Sequence, residues 1–545
     1  MHTLSCLVPA IIALCGPVFA QEAPVAEVAK VYGSTTNSAD LAGIAVAISG
    51  STALVGAQAN GGVAPGAGAV FVFELLSDGS WSEAQVLTAS TADNGDSLGR
   101  AVAISGDRAI IGAFAKDGVA GANQGAAYVF ERTGGVWNEV AELSAAVPFL
   151  ADEFGWSVAI DGDLAVAGTY KNDGAGNNSG AVYAFERVGG VWMQTQVLQA
   201  SDSKAGDEFG WSVALDGTTL LVGADLEGPS GNGAGAVYVF EHNGAAWVET
   251  QKLKGSDTIP LDYFGWSVDL DGDRAVIGAR DGESLTDPFS WDEGAAYVFE
   301  RAGGVFSQVA RLEASDASAS DGFGYSVAVS GDRVVVGSPD QDALGNNAGA
   351  CYLFERNGLG AWIETEKILA TDGQAGDIVG RAVGLSGDRA VLGARGDDDQ
   401  GSNAGAAYLL DVEPLSASVS TISLAAGGLQ TLALDAGRDH ANDLYWVFGS
   451  VTGTTPGIPI GGGFVVPLNF DAYFQISLSS PNMVPLLFSF AGLNGVGHAE
   501  AGFLIPAGFA PGLAGLTANH AFVALDPISF APTFVSNAVG VGLVP

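Results

Sequence analysis

The sequence predicts an all-β protein, a seven-bladed β-propeller whose N-terminal strand closes the last blade, followed by a small β-sandwich-like C-terminal domain. Two observations carry this expectation. A phrase made of an acidic residue, Phe-Gly or a near equivalent, and an apolar strand recurs at Gly43, Gly99, Gly155, Gly210, Gly265, Gly324 and Gly380, at intervals of 55 to 59 residues. A second phrase, GAxYVFE, keeps step with it at Gly68, Gly125, Gly180, Gly235, Gly294, Gly349 and Gly405. Self-similarity held at so regular a period marks repeats that bury their faces against one another.

From the N-terminus, Leu4 to Phe19 is apolar and ends in Val18-Phe19-Ala20 before Gln21, with small residues where a signal peptidase cleaves. Residues 1–20 are therefore read as a secretion signal, and the chain is expected to be secreted, extracellular or at the cell surface. No later stretch reads as a membrane span: Met483 to Leu493 is broken by Pro485 and Gly492 and falls short of the ~20 residues a helix needs. Cys6 and Cys15 leave with the signal. Cys351 stands where other repeats have Ala or Val, so it reads as a small buried hydrophobe rather than a reactive thiol.

One repeat, Phe154 to Leu198, divides into four strands. FGWSVAI and LAVAG are joined through Asp161-Gly162-Asp163, and GAVYAFE and VWMQTQVL through Gly189-Gly190. Four antiparallel strands make one propeller blade. The tight turns share one rim, so the long connections from strand two to three and from strand four to the next blade share the other. That second rim carries Lys171 to Ser179, Asp225 to Ala234, Arg280 to Glu293, Asp340 to Ala348 and Arg395 to Ala404. Variable loops on a rigid scaffold are where recognition concentrates.

A ring must also close, or a sheet edge is left bare. Six repeats anchor their fourth strand with Trp81, Trp137, Trp192, Trp247, Phe306 or Trp362, whereas the seventh stops at Tyr408-Leu409-Leu410-Asp411. VAEVAKVY, from Val25 to Tyr32, aligns with WNEVAELS from Trp137 and is expected to supply the missing outer strand. The propeller then spans residues 22–412. Beyond Glu413-Pro414 the repeat vanishes, and residues 416–545 alternate short apolar runs with Gly/Pro turns, as a small β-sandwich would. His440 and Asp443 in this module are a candidate ligand pair, set against an ordinary surface contact.

The phrases DEFGWSVAI, DRAVIGAR and GAAYVFE resemble the FG-GAP repeats of integrin α-subunit propellers and, more closely, a bacterial FG-GAP subfamily found in secreted proteins. The resemblance covers about residues 22–412 and implies adhesion and contacts with proteins or glycans. One feature departs from it. Integrin-like repeats carry a DxDxDG calcium loop between strands one and two, but here the connection is only Ser105-Gly106-Asp107 or Asp271-Gly272-Asp273. Too few oxygens are present for a calcium cage, so those sites are not carried over.

The residues after the seven motif glycines are Ile44, Arg100, Trp156, Trp211, Trp266, Tyr325 and Arg381, an aromatic arc over four blades with arginines on two others. The arc is read as packing between blades, with a sugar-stacking crescent at the axial opening as the alternative. Arg395-Gly396-Asp397 spells an adhesion tripeptide in a loop expected to be exposed, weighed against chance in a chain rich in Gly and Asp. Asp397, Asp398 and Asp399, with Asp340 and Asp342 in the preceding blade, are candidate oxygen ligands for weakly bound Ca2+, weighed against solvated turn chemistry.

With 61 acidic and 21 basic residues the formal net charge is -40, which repels nucleic acid and anionic membranes. His242, His440, His498 and His520 show no metal-ligand spacing, and there is no GxSxG elbow or phosphate loop. The innermost strands read as nearly uniform, where a propeller enzyme breaks its symmetry. The expectation is thus a non-catalytic binding, adhesion or scaffolding protein, monomeric as a propeller, with an extracellular protein or polysaccharide partner and no cofactor beyond weak Ca2+. The alternatives are a polysaccharide-active enzyme with a site at the axial mouth and a purely structural envelope component.

Overall fold

Each repeat folds into the four strands that its alternation and turn residues call for. The computed structural model describes residues 25–412, apart from 77–78, 229–231, 283–292 and 357–359, and beyond 414 chiefly the backbones of strands. Residues 1–20, His440 and Asp443 lie outside the described residues. Every element among the described residues is a strand. In the third blade the sheet runs Ser157–Asp161, Leu164–Thr169, Ala181–Val188, Val191–Leu198 in chain order from the axis outward, and six of the seven blades follow this pattern.

The Phe-Gly phrase does not extend the inner strand of the third blade, as the periodicity suggests. Phe154 instead forms a parallel bridge to Gly125, the glycine of the second phrase in the blade before. The same bridge recurs around the ring, ending with Ala42 against Gly405, which ties the first blade to the last. The two in-phase phrases are therefore the two halves of one interblade clasp. Glycine is needed at position 125, because φ is +83° and a Cβ would lie 2.1 Å from the Phe154 carbonyl oxygen. The preceding acid is structural as well. Asp40, Asp96, Asp207, Asp262, Asp321 and Asp377 are buried, and each accepts a hydrogen bond from the backbone N–H three residues earlier, closing the turn into its blade.

Closure follows the expected alignment. Ala26–Val31 pairs with Ala406–Asp411 and becomes the outer strand of the seventh blade, in the order Ala26–Val31, Ala406–Asp411, Arg389–Ala394, Val379–Ser386. Its side chains repeat the chemistry of a fourth strand. Glu27 accepts from the Thr371 N–H at 3.1 Å, as Glu139 does from Ser90 and Glu249 from Ser201. Lys30 and the Tyr408 hydroxyl share Asp372 at 2.8 Å each, as Lys252 and Tyr238 share Asp202. Lys30 further holds Asp397 at 2.6 Å and Asp399 at 2.8 Å.

The core lies between sheets. Val166, Val182, Leu220, Val222 and Tyr238 from adjacent blades are fully buried in one such layer. Cys351 belongs to this core, fully buried as expected, and burial pushes its thiol pKa up. The C-terminal module has two main sheets of its own. One contains Leu415–Ala417, Gly428–Asp435, His498–Ile505 and Leu486–Leu487 in that order, and the other is built around Thr517–Leu525 and Leu444–Ser450.

Candidate functional site

Inner strands begin, and second strands end, on the face that carries the long connections. The residue after each motif glycine consequently points to the axis at that face. All seven, Ile44, Arg100, Trp156, Trp211, Trp266, Tyr325 and Arg381, line one cavity of about 220 Å³ at the axial mouth. The arc packs across blades: Trp156 and Trp211 ring centroids are 5.1 Å apart, Trp211 and Trp266 4.7 Å, and Trp266 and Tyr325 5.3 Å. Yet these rings are only half-buried, unlike the motif phenylalanines Phe154, Phe209, Phe264 and Phe323, which are buried completely. The arc is thus both interblade packing and the wall of the mouth.

The mouth has two unlike halves. In the four aromatic blades the next residue is serine, and Ser157, Ser212, Ser267 and Ser326 each donate to the motif-glycine carbonyl of the following blade at 2.7–2.9 Å. In the remaining blades that residue is Ala45, Ala101 or Ala382, and the wall is Ile44 flanked by Arg100 and Arg381. Arg100 stacks 4.3 Å from the Trp156 ring centroid and Arg381 4.1 Å from that of Tyr325, so each guanidinium joins an end of the aromatic arc.

A second circle of residues follows strand two in each blade: Gln58, Phe114, Tyr170, Asp225, Arg280, Pro339 and Arg395. Sequence reasoning missed this circle, although its signal is plain, since each stands just past the Gly-Ala, Gly-Thr or Gly-Ser pair that ends the strand. It brings Arg280 to 3.8 Å from the Trp266 ring and Tyr170 between Trp156 and Trp211. Burial, then the Arg100, Arg395 and Arg280 charges, depress the Arg381 pKa to about 8, and burial lowers Arg100 to about 10. Both remain cations at neutral pH. Glu153, whose charge acts on Arg100, is held by Lys171 and the Tyr170 hydroxyl. Burial pushes Glu208 up to about 7, and buried Asp225 is raised well above the usual carboxylate range.

The adhesion tripeptide is not presented in an exposed loop. Asp397 is 1% exposed because Lys30 from the closing strand reaches in to pair with it, and Gly396 is buried too, while Arg395 belongs to the mouth. The candidate calcium ligands do not converge on a cation site. Asp397 and Asp399 face the Lys30 ammonium, and Asp398 accepts from the Asn403 N–H. Asp342 accepts from the Asn347 N–H, and Asp340 from the Asn347 side-chain amide. Among the described residues no group of three or more His, Cys, Asp or Glu is placed to hold a metal ion.

The uniformity expected of the inner strands also fails at one position. Asp269 replaces the alanine or glycine of every other blade, lines the axial channel below the mouth, and accepts from the Val329 N–H at 2.7 Å. Burial lifts its pKa to about 7. At the far end of the channel the SGD and DGD turns explain themselves. Asp161 accepts from the Gly217 N–H and Asp271 from the Gly331 N–H of the next blade. The second acid of the turn takes an arginine, as Asp163 does from Arg108 and Asp332 from Arg274. These acids are joints between blades.

A family comparison settles what the repeats are. A model of the FG-GAP repeat matches residues 25–73, 81–130, 137–185, 192–240, 247–299, 306–354 and 362–410. The chain belongs to the FG-GAP repeat family. Each matched FG-GAP segment after the first opens on the outer strand of one blade and ends on the third strand of the next. The first, 25–73, opens on the closing strand, which thereby counts as the outer strand of the seventh blade. A comparison with curated proteins gives no match.

Proposed function

We propose that this FG-GAP propeller is a secreted, non-catalytic binding or scaffolding protein that meets an extracellular protein or glycan on its loop-bearing face, without a bound cofactor. One observation carries the reading: the sevenfold pattern is broken most on that face. The mouth residues divide into an aromatic half, three tryptophans and a tyrosine, and a half made of an isoleucine between two arginines, whereas the opposite face repeats the same Ser/Asp turn joints. Binding residues held on a rigid scaffold need such asymmetry, and packing residues do not. No helix among the described residues is long and apolar enough to cross a membrane. A screen of the full chain against polysaccharides and surface proteins tests the reading. Capture of a partner that is lost on substituting residues of the loop-bearing face supports it, and hydrolysis of a polysaccharide contradicts it.

A further inference from the structure

The arginines of the mouth differ from those of the rest of the propeller. Elsewhere each guanidinium meets a carboxylate: Arg108 reaches Glu131, Arg301 reaches Glu241 and Asp273, and Arg333 reaches Glu355 and Asp388. Arg100, Arg381 and Arg395 have no ion-pair partner among the described residues, in a protein with 61 acids to choose from. Nε of Arg381 and of Arg395 is buried without a hydrogen-bond partner there, as is that of Arg187, Arg274, Arg356 and Arg389, but only the latter four have a carboxylate within ion-pair distance. Like charges gathered out of water repel one another and forgo hydrogen bonds, a cost a protein carries where a ligand completes the site.

Stacking decides the kind of ligand. A guanidinium lying on an aromatic face keeps its in-plane N–H groups free, and that planar fork matches a carboxylate. Between Arg100 and Arg381 stands only Ile44, so the cationic side is low, while the rest of the wall is aromatic. An anion alone leaves that wall unused, since about 220 Å³ far exceeds the ~30 Å³ share of one water. Aromatic faces pack well against a sugar ring. The volume lies below the ~300 Å³ lower end of ordinary ligand pockets, and a surface of net charge -40 repels a polyanion laid across it. Both facts favour a single end group.

We propose that the axial mouth receives the carboxylate of a terminal acidic sugar, held between Arg100 and Arg381 with its ring against the Trp156–Tyr325 arc. The proposal rests on the binding reading above and names its ligand class. Asp225 and Glu208 do not act on Arg100 or Arg381, and Glu153, the carboxylate that does act on Arg100, is engaged by Lys171 and the Tyr170 hydroxyl.

Titration of the full chain at neutral pH, followed by tryptophan fluorescence and calorimetry, tests it with D-glucuronate, its methyl ester, glucose, acetate and sulfate. Glucuronate is expected to bind and to alter the fluorescence, with glucose and the methyl ester at least about tenfold weaker, as loss of a charge-assisted bidentate contact requires. Arg381→Gln and Arg100→Gln should each lose about tenfold or more. Arg381→Lys, which keeps the charge but not the fork, should fall between, and Arg389→Gln on the other face should bind as the parent does. Melting curves of each variant establish that it is folded. Equal binding of glucose removes the arginines from the account, and equal binding of acetate or sulfate removes the sugar. No glucuronate binding at all overturns the proposal, while a partner held on the outer loops and indifferent to the mouth variants would leave the wider binding reading in place.

Discussion

The two faces of this propeller use arginine in opposite ways. On the tight-turn face Arg108, Arg274 and Arg333 each join a glutamate of their own blade to an aspartate of the next, so charge stitches the ring together. On the loop-bearing face Arg100 and Arg381 stack on aromatic rings, Arg395 adds its charge to theirs, and none of the three forms an ion pair among the described residues, the carboxylate that acts on Arg100, Glu153, being bound to Lys171. A satisfied charge belongs to the scaffold, and an unsatisfied one marks a place where the scaffold is interrupted for another purpose. Substitutions should therefore separate. Scaffold changes should cost stability, and mouth changes should leave it almost untouched.

The largest expected loss tests the closure. The Lys30 side chain is 11% exposed and pairs with that of Asp397, 2% exposed, so Lys30→Ala strands a buried carboxylate. Breaking a buried pair costs about 3–5 kcal/mol, which denaturant unfolding of the full chain should show. A loss under 1 kcal/mol would mean that the first strand does not pin the last blade.

Next comes a pair of glycines. Gly125→Ala places a Cβ 2.1 Å from a backbone oxygen at φ +83°, and should cost on the order of 2–4 kcal/mol. Gly162→Ala, at φ +54° in an exposed turn with no atom within 4 Å of the new Cβ, should cost about 1 kcal/mol. Similar costs at both positions would show that the Phe-Gly clasp is not what holds neighbouring blades.

The acids make a prediction in pH. Burial raises Glu208 and Asp269 to about 7 and Asp321 to about 6, so the folded state takes up these protons before the unfolded chain does. Stability should rise as pH falls from 8 toward 5. Asp202, Asp316 and Asp372 are held below the usual range despite burial, because Lys252, Lys367 and Lys30 bond to them. Their contribution is lost as pH falls through their folded pKa values, below about 4. The melting temperature should peak in mildly acidic solution, and Asp269→Asn should flatten the upper limb of that curve.

The smallest effect is the sharpest contrast between the faces. Arg333→Gln abandons Glu355 and Asp388, both partly exposed, and should cost about 1 kcal/mol. Arg381→Gln abandons no carboxylate and relieves repulsion from Arg100, so its stability should stay within about 0.5 kcal/mol of the parent or exceed it. Equal destabilisation by the two would mean that the mouth arginines pack like any others.

Much of this architecture was legible because a repeat is read against itself. The two phrases in step, the missing seventh outer strand and the match of VAEVAKVY to WNEVAELS all sit on the surface of the text, and the closing strand lies where that match puts it. The arc after the motif glycines was legible as a set, but not its exposure, because packing and lining ask for the same aromatic residues. Arg395 and Asp397 were misplaced because an exposed loop was inferred from local composition. The burial of Asp397 depends on Lys30, 367 residues earlier, and no local signal carries that contact. The gathering of Arg381 and Arg395 with Arg100 was likewise hidden, since blades seven and two approach only across the small wall that Ile44 leaves in blade one.

Hydrogen exchange of the full chain with and without D-glucuronate tests the central contrast most directly, because both ends of the axis are read in one sample. Slowed exchange confined to the mouth, around Arg100, Trp156 and Arg381, with the turns at Asp161, Asp216 and Asp271 unchanged, is the expected result. Protection at those turns instead, or spread evenly over all seven blades, would contradict the assignment of binding to the loop-bearing face.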